Sequence, residues 1–128
     1  MSYKKYKQTA VESASREKLL LMLYEGAIKF VKRAIIAIEN DDIPARCENI
    51  GRAYDIVLEL MNTLDFKVGG EVAQNLEQLY LFVTDELTRA NITGKVDHLN
   101  NVLKILETLY DGWKEAVELI KKNDTKGA

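Results

Sequence analysis

The chain has 128 residues, of which 47% are hydrophobic and 30% charged, with one proline and one cysteine. This length suits a single domain that buries its core without disulfides or metal, and the composition excludes a chain disordered throughout. Eighteen basic and twenty acidic residues leave a formal charge of -2, which does not favour nucleic acid as a partner. The sequence has neither a membrane-spanning run nor a secretory signal, so we expect a cytoplasmic protein without membrane insertion.

Three breaks in the helical periodicity divide the chain, at residues 39–42, 65–70 and 91–94. They predict helices near residues 15–39, 43–66, 71–90 and 95–122. Because connections this short place consecutive helices side by side, we predict an all-α fold, an antiparallel four-helix bundle. Residues 1–14 are then a helical or extended N-terminal flap, residues 15–122 the bundle and residues 123–128 a tail.

The N-terminal flap repeats aromatic and small residues at helical spacing, from Tyr3 and Tyr6 to Ala10 and Val11. It is too short to form a stable helix alone. It is either a frayed tail or a movable flap whose tyrosines cover an apolar groove until a partner displaces it.

Polar side chains predict the helix starts, with Ser13 or Ser15 capping the first helix and Asp42 capping the second ahead of Pro44. Apolar stripes predict the core of the later helices. The stripe of the second helix is Ile43, Cys47, Ile50, Tyr54, Val57, Met61 and Leu64, in which Cys47 is interpreted as a small buried hydrophobe. The stripe of the third helix is Val72, Leu76, Leu79, Val83, Leu87 and Ala90, and that of the fourth is Leu99, Val102, Leu106, Leu109, Trp113, Ala116 and Ile120.

Several hydrophobic residues remain outside these stripes. On an ideal helical wheel, Met22 and Ile36 point outward from the first helix, Leu21 and Ile28 lie at the margin, and Ile56 shares the polar side of the second helix. Leu81 and Phe82 lie on the polar side of the third. Single exposed hydrophobes are common on protein surfaces. Together, however, these residues indicate grooves that receive apolar side chains of another polypeptide.

Catalytic, cofactor and metal motifs are absent from the sequence. His98 is the only histidine, so the Glu-x-x-His pairs of di-iron bundles and the Cys-x-x-Cys-His of haem attachment are both missing. Gly69-Gly70 is not followed by the Lys-Ser/Thr of a phosphate-binding loop and is better explained as a turn. We interpret His98 as a surface residue and Asp85-Glu86 as part of a solvated face. The sequence therefore predicts a binding protein without catalytic residues, cofactor or metal.

Several segments resemble one family along nearly the whole chain. They are KLLLMLYEGAI at residues 18–28, LD at 64–65, GGEVAQNL at 69–76, LY at 79–80, LTRAN at 87–91 and WKEA at 113–116. In this order and spacing they are similar to the flagellar secretion chaperones, the FliS family, and Tyr6 resembles the family's N-terminal tyrosine. The chain departs from the family pattern at Tyr3, Arg16 and Phe82.

The resemblance implies a cytosolic chaperone that captures the disordered C-terminal segment of flagellin, prevents premature filament assembly and supports delivery to the flagellar type III export apparatus. Further implied partners are a component of the export gate and, in some relatives, a regulator of flagellin translation. The surplus hydrophobes and the family account together give our hypothesis for the protein-binding residues. Contact surface comes from Tyr6, Leu21, Met22, Ile28, Ile36 and Ile56, and hydrogen bonds to the client come from Asn75 and Tyr80.

Two other classes of function compete with this one. The outer hydrophobes of a self-associating structural or adaptor bundle would instead meet a second copy or a different protein. An enzyme of the helical-bundle nuclease or nucleotidyltransferase-subunit type would need a cluster of polar catalytic groups that this sequence lacks.

Overall fold

Four α-helices make up the computed structural model, which describes the backbone of residues 3–126 and the side chains of residues 15–123. The helices are α1 (Tyr3–Glu39), α2 (Ile43–Asn62), α3 (Phe66–Thr93) and α4 (Val96–Lys126). α1 packs against α2 and α4, and α3 packs against the same two helices, so α1 and α3 lie across the diagonal of a four-helix bundle. The predicted fold class is confirmed.

The start of α1 differs from the prediction. The helix begins at Tyr3, so the two proposed caps, Ser13 and Ser15, lie within a continuous helix and not at its start. The physical reason is local, because the Lys, Gln and Ala residues of this segment favour helix and no Gly or Pro interrupts them. The predicted flap is thus continuous with α1 in its backbone. Its side chains lie outside the described residues.

The junction between α1 and α2 follows the prediction closely. The Asp42 carboxylate accepts a hydrogen bond from the backbone N–H of Ala45 at 3.1 Å, and Pro44 occupies the first turn of α2. Pro fits there because the first amides of a helix have no partner within the helix. Asp41 adopts a left-handed conformation (φ 54°), which lets the chain reverse between the two helices.

The junction between α2 and α3 is shorter than predicted. α2 ends at Asn62 rather than Phe66, and α3 begins at Phe66 because Asp65 caps it by accepting hydrogen bonds from the amides of Lys67 and Val68. The glycine pair does not separate the helices. Gly70 instead kinks α3 after its first turn, with φ 49° and ψ -121°, a conformation that residues with a side chain rarely adopt.

The core consists mainly of small and medium apolar side chains from all four helices, together with the two buried tyrosines Tyr24 and Tyr80. Its centre includes Ala27 and Val31 of α1, Val57 of α2 and Leu87 of α3. Tight packing of such residues stabilises a bundle, and truncating a buried Leu to Ala costs about 2–5 kcal/mol. The buried positions of α4 are Leu99, Val102, Leu106 and Val117.

Some residues assigned to the core from the sequence are exposed. The buried face of α2 is centred on Ile50, Ala53, Val57 and Leu60, which turns Cys47 out to the solvent and corrects its interpretation as a buried residue. An apolar stripe on a wheel gives the approximate direction of the core. It does not show where the neighbouring helices stop covering the stripe. The other residues of the predicted stripes that are exposed are Ile43, Val72, Leu79 and Ile120.

Candidate functional site

An apolar groove opens at the end of the bundle where α2 turns into α3. We call it the end groove. It has a volume of about 580 Å³, and its walls come from the α1 segment 16–20, the 63–65 link, the first turns of α3, and Trp113 of α4. The apolar side chains that line it are Leu19, Leu20, Leu64, Val68, Val72, Leu76 and Trp113.

The rim of the end groove is unusually exposed for apolar residues. Leu19 is 54% exposed, Val72 63% and Val68 87%. Val68 lies in the first turn of α3, before the kink at Gly70, whereas Val72 follows the kink and Leu19 belongs to α1. Neighbouring apolar residues left in water around a concave surface are typical of a binding site for another apolar chain.

Tyr80 and Trp113 line the inner part of the end groove and both connect to Tyr24 in the core. The Trp113 Nε1–H donates a hydrogen bond to the Tyr24 hydroxyl at 3.1 Å, and the hydroxyls of Tyr24 and Tyr80 hydrogen bond to each other. Burial raises the pKa of both Tyr24 and Tyr80 above the ordinary tyrosine value, since the interior disfavours a phenolate. These groups therefore remain neutral and hold the wall of the groove in place.

A second groove, which we call the side groove, lies between α1 and α4. It has a volume of about 410 Å³ and is lined by Ile28, Ile36 and Tyr110 together with charged residues of α1. The Tyr110 hydroxyl donates a hydrogen bond to the Glu25 carboxylate, and this bond raises the pKa of Tyr110. The charged lining residues are Glu25, Lys29, Lys32 and Arg33.

Basic side chains gather around one aromatic ring beside the side groove. Lys29 Nζ lies 4.7 Å from the centre of the Phe30 ring, while the guanidinium carbons of Arg33 and Arg52 lie 5.7 and 5.5 Å from it. Cations above a ring face are attracted by its negative charge density. Phe30 therefore allows three cations to lie close together between α1 and α2.

The structure places the predicted site residues in different surroundings. Met22 and Ile36 are exposed as predicted, and Asn75 is also exposed. Ile36 and Ile28 share the side groove. The remaining predicted residues with a described side chain are partly or fully buried, namely Leu21, Ile56 and Tyr80, while the Tyr6 side chain lies outside the described residues.

Two of the predicted site residues have structural contacts that change their interpretation. Tyr80 is 1% exposed and its hydroxyl bonds to Tyr24, so Tyr80 is not a surface donor for a client and the predicted role is corrected. Ile56 lies against Gly26, where an added Cβ would be 3.2 Å from the Ile56 Cδ1. It fills the contact between α1 and α2, and Gly26 permits this close approach.

Sequence reasoning missed the rim of the end groove. Val72 and Leu64 were assigned to core stripes, and Leu19 and Val68 were not singled out. The signal available in the sequence was the adjacent glycine pair, because glycines within an apolar stretch indicate a break in the helix, and a break changes the direction of the preceding residues relative to an ideal wheel.

A buried polar cluster also differs from the prediction. Glu86 is 5% exposed rather than solvated, and its Oε2 accepts hydrogen bonds from Asn101 Nδ2 and from His98 Nδ1, both at 3.1 Å. The bond from Asn101, followed by that from His98, lowers the Glu86 pKa below its ordinary value. Asp85 is exposed as predicted and pairs with Arg89 at 3.1 Å. His98 thus joins α4 to α3 and is not a free surface residue.

Comparison with known proteins identifies the family to which this chain belongs. The model of the family described as "Flagellar protein FliS" matches residues 1–120. The chain belongs to the FliS family. A FliS relative from Campylobacter jejuni, named flagellar secretion chaperone FliS, is 39% identical over 115 residues, which cover 90% of each chain.

Two further FliS relatives bear the same name. The protein from Bacillus subtilis is 34% identical over 121 residues, covering 94% of this chain and 90% of the relative. The protein from Vibrio cholerae is 33% identical over 118 residues, covering 89% and 87%. The match therefore includes both grooves, and FliS is a family of chaperones rather than of enzymes.

The described residues of this FliS chain also bear on membrane and metal sites. None of the described helices is long and apolar enough to cross a membrane. In the same part of the chain, no group of three or more His, Cys, Asp or Glu side chains is arranged to hold a metal ion.

Proposed function

We propose that this protein is a cytosolic export chaperone that holds the disordered C-terminal segment of flagellin in its end groove. The observation that carries the proposal is the exposed apolar rim formed by Leu19, Val68 and Val72 around a groove of about 580 Å³. Membership of the FliS family supports a flagellar protein as the client. Bound flagellin would be kept from polymerising and delivered to the flagellar type III export apparatus.

The size of the groove suits a client that orders as it binds. Each apolar side chain that becomes fully buried contributes about 1.5–3 kcal/mol. Ordering a disordered segment costs about 2–5 kcal/mol or more. Burial of several client side chains in the end groove would therefore offset much of the ordering cost, which supports the end groove as the principal anchor of the proposed contact.

Other predicted residues extend this proposed contact beyond the end groove. Met22 and Asn75 are exposed, and Ile28 and Ile36 form the apolar part of the side groove. We keep them as proposed client contacts, with partly buried Leu21 between the two grooves on α1. Ile56 contributes mainly to packing against α1, and Tyr80 supports the end groove from inside.

The N-terminal segment is proposed as a competitor for the client. Tyr6 would reach the end groove when the client is absent, with the first turns of α1 unwound, and leave it when the client binds. Further proposed partners, implied by the family, are a component of the export gate and a regulator of flagellin translation.

The experiment compares two exposed positions of α3 by titration calorimetry with a peptide of the flagellin C-terminal segment. Val72 lines the end groove, whereas Leu81, a surplus hydrophobe of the sequence that is 52% exposed, lines neither groove in the structure. Val72→Glu should weaken binding at least about tenfold, because a carboxylate is costly to bury against apolar side chains. Leu81→Glu should bind like the unmodified protein.

Equal affinity of Val72→Glu and Leu81→Glu would contradict the end groove as the site. A truncated flagellin that lacks its C-terminal segment is the control for the client and should not bind. Light scattering before and after addition of client separates this function from self-association. A dimer that persists with flagellin present, together with no binding of the peptide, would favour the self-associating bundle instead.

A further inference from the structure

The side groove differs from the end groove in its charge. Its lining has three basic residues, Lys29, Lys32 and Arg33, and one acidic residue, Glu25. The whole chain carries a formal charge of -2, so this concentration of positive charge is local. Because Glu25 already accepts a hydrogen bond from Tyr110, it is less available to the three cations.

Lys29, Lys32 and Arg33 form no salt bridge with another described side chain. Other basic residues do, since Arg52 pairs with Glu48, Arg89 with Asp85 and His98 with Glu86. A carboxylate brought to this surface would therefore gain partners without breaking an existing ion pair.

The spacing of the cations is that of one helical turn. Lys29, Lys32 and Arg33 lie at positions i, i+3 and i+4 of α1, which places them on adjoining parts of its surface. Ile28 and the exposed Ile36 lie in the same groove. The groove thus offers apolar contact beside positive charge, which suits a polypeptide with alternating apolar and acidic side chains better than a phosphate backbone.

The side groove is also within reach of a chain bound in the end groove. Leu20 of the end groove and Ile28 of the side groove are eight residues apart on α1, about 12 Å along the helix. An extended polypeptide covers this distance with about four residues. Tyr24 links the two sites, since it bonds to Trp113 and its ring centre lies 6.5 Å from that of Tyr110.

We infer that the side groove binds an acidic stretch of the same client polypeptide whose apolar part occupies the end groove. This inference rests on the proposed function, and it adds a requirement for the client's sequence. A good client carries carboxylates within a few residues of its apolar anchors. The side groove would then select among disordered apolar segments by their charge.

The test uses charge reversal with a matched control. The double variant Lys29→Glu with Lys32→Glu reverses two cations of the groove, whereas Lys95→Glu with Lys104→Glu makes the same net change at exposed positions outside both grooves. The probe is the flagellin C-terminal peptide, with a second peptide in which Asp and Glu are replaced by Asn and Gln. Melting temperatures verify that both double variants are folded.

We expect the groove variant to bind the natural peptide about tenfold more weakly and the control variant within about twofold of the unmodified protein. The amide peptide should bind the unmodified protein more weakly, but should lose little further affinity on the groove variant. The inference would be overturned if the affinity losses from the amide peptide and from the groove variant were additive, or if the two double variants bound the natural peptide equally. In that outcome a loss of binding by Val72→Glu would still support the end groove, so the two proposals fail separately. Undiminished binding of the amide peptide by the unmodified protein would also overturn it.

Discussion

The indole N–H of Trp113 donates a hydrogen bond to the Tyr24 hydroxyl oxygen, 3.1 Å away, and the same indole lines the end groove. Trp113 is the only tryptophan in the chain. One side chain therefore connects the buried tyrosines to the surface where we expect the client to bind. Its fluorescence should report on events at the end groove.

We predict that binding of the flagellin C-terminal peptide moves the Trp113 emission to shorter wavelength. The indole is only partly buried now, and apolar client side chains would replace water around it. A fluorescence titration measures the shift, with Trp113→Phe as the variant that should give no signal. An unchanged emission spectrum at peptide concentrations that saturate the protein in calorimetry would place the client elsewhere.

Met22→Glu and Ile28→Glu should differ in stability although both weaken client binding. Met22 is 56% exposed, so the melting temperature of the Met22→Glu variant should change little. Ile28 packs against the core, and a carboxylate there should destabilise the fold by about 1–3 kcal/mol. Circular dichroism melts and calorimetry measure the two effects. Unaltered peptide affinity in Met22→Glu would remove Met22 from the site.

Deletion of residues 1–11 should speed association with the client. A segment that competes for the groove reduces the fraction of protein able to bind, so its removal raises the observed on-rate. Stopped-flow fluorescence of Trp113 measures that rate. If truncated and full-length proteins associate equally fast, the N-terminal segment does not compete.

The hydrogen bonds of Glu86 should make stability depend on acid pH. Its pKa is lowered in the folded state because Asn101 and His98 bond to the ionised carboxylate. A lowered folded pKa stabilises the protein above the unfolded value of 4.5, and the stabilisation is lost as pH falls through the folded pKa.

Glu86→Gln should therefore lower stability by about 1–3 kcal/mol near pH 7, and the difference from the unmodified protein should shrink below pH 4.5. Denaturant melts at several pH values measure it. Asp85→Asn, at the exposed neighbouring position, is the control and should have a small effect. A difference that stays constant from neutral to acid pH would show that the ionised carboxylate is not what stabilises this contact.

Cys47 should react with a thiol reagent in the folded protein. Its side chain is exposed on α2, contrary to the interpretation from sequence. Absorbance measurement of the reaction should show one thiol modified without denaturant, and Cys47→Ser should show none. Protection of the thiol until the protein is unfolded would mean that this face of α2 is covered.

The sequence was sufficient for the four helices and most of the core, because long stretches with a 3.6-residue period leave few alternatives. Asp42 and Gly94 could also be recognised as helix boundaries, because a capping Asp and a terminal Gly are local signals in the sequence. The start of α1 could not be predicted in this way. Ser15 has the chemistry of a cap but lies in a segment that favours helix throughout. A capping residue becomes a cap only where the preceding backbone leaves the helix.

The candidate site depended on features that no helical wheel contains. Val72 belongs to an apolar stripe, yet α3 is uncovered there because the turn into α3 lies at the end of the bundle. The bond between Glu86 and His98 joins residues of two helices, and only the packing of α3 on α4 brings them together. Tertiary contacts, rather than local pattern, decide both cases.

Gly70 has one more consequence, which concerns the mouth of the end groove. The first turn of α3, with Val68, is joined to the rest of the helix through the positive φ of this glycine (49°) and its ψ of -121°. These two angles set the direction of that turn relative to the rest of α3. The position of Val68 at the mouth of the groove therefore depends on a backbone conformation that a residue with a side chain rarely adopts.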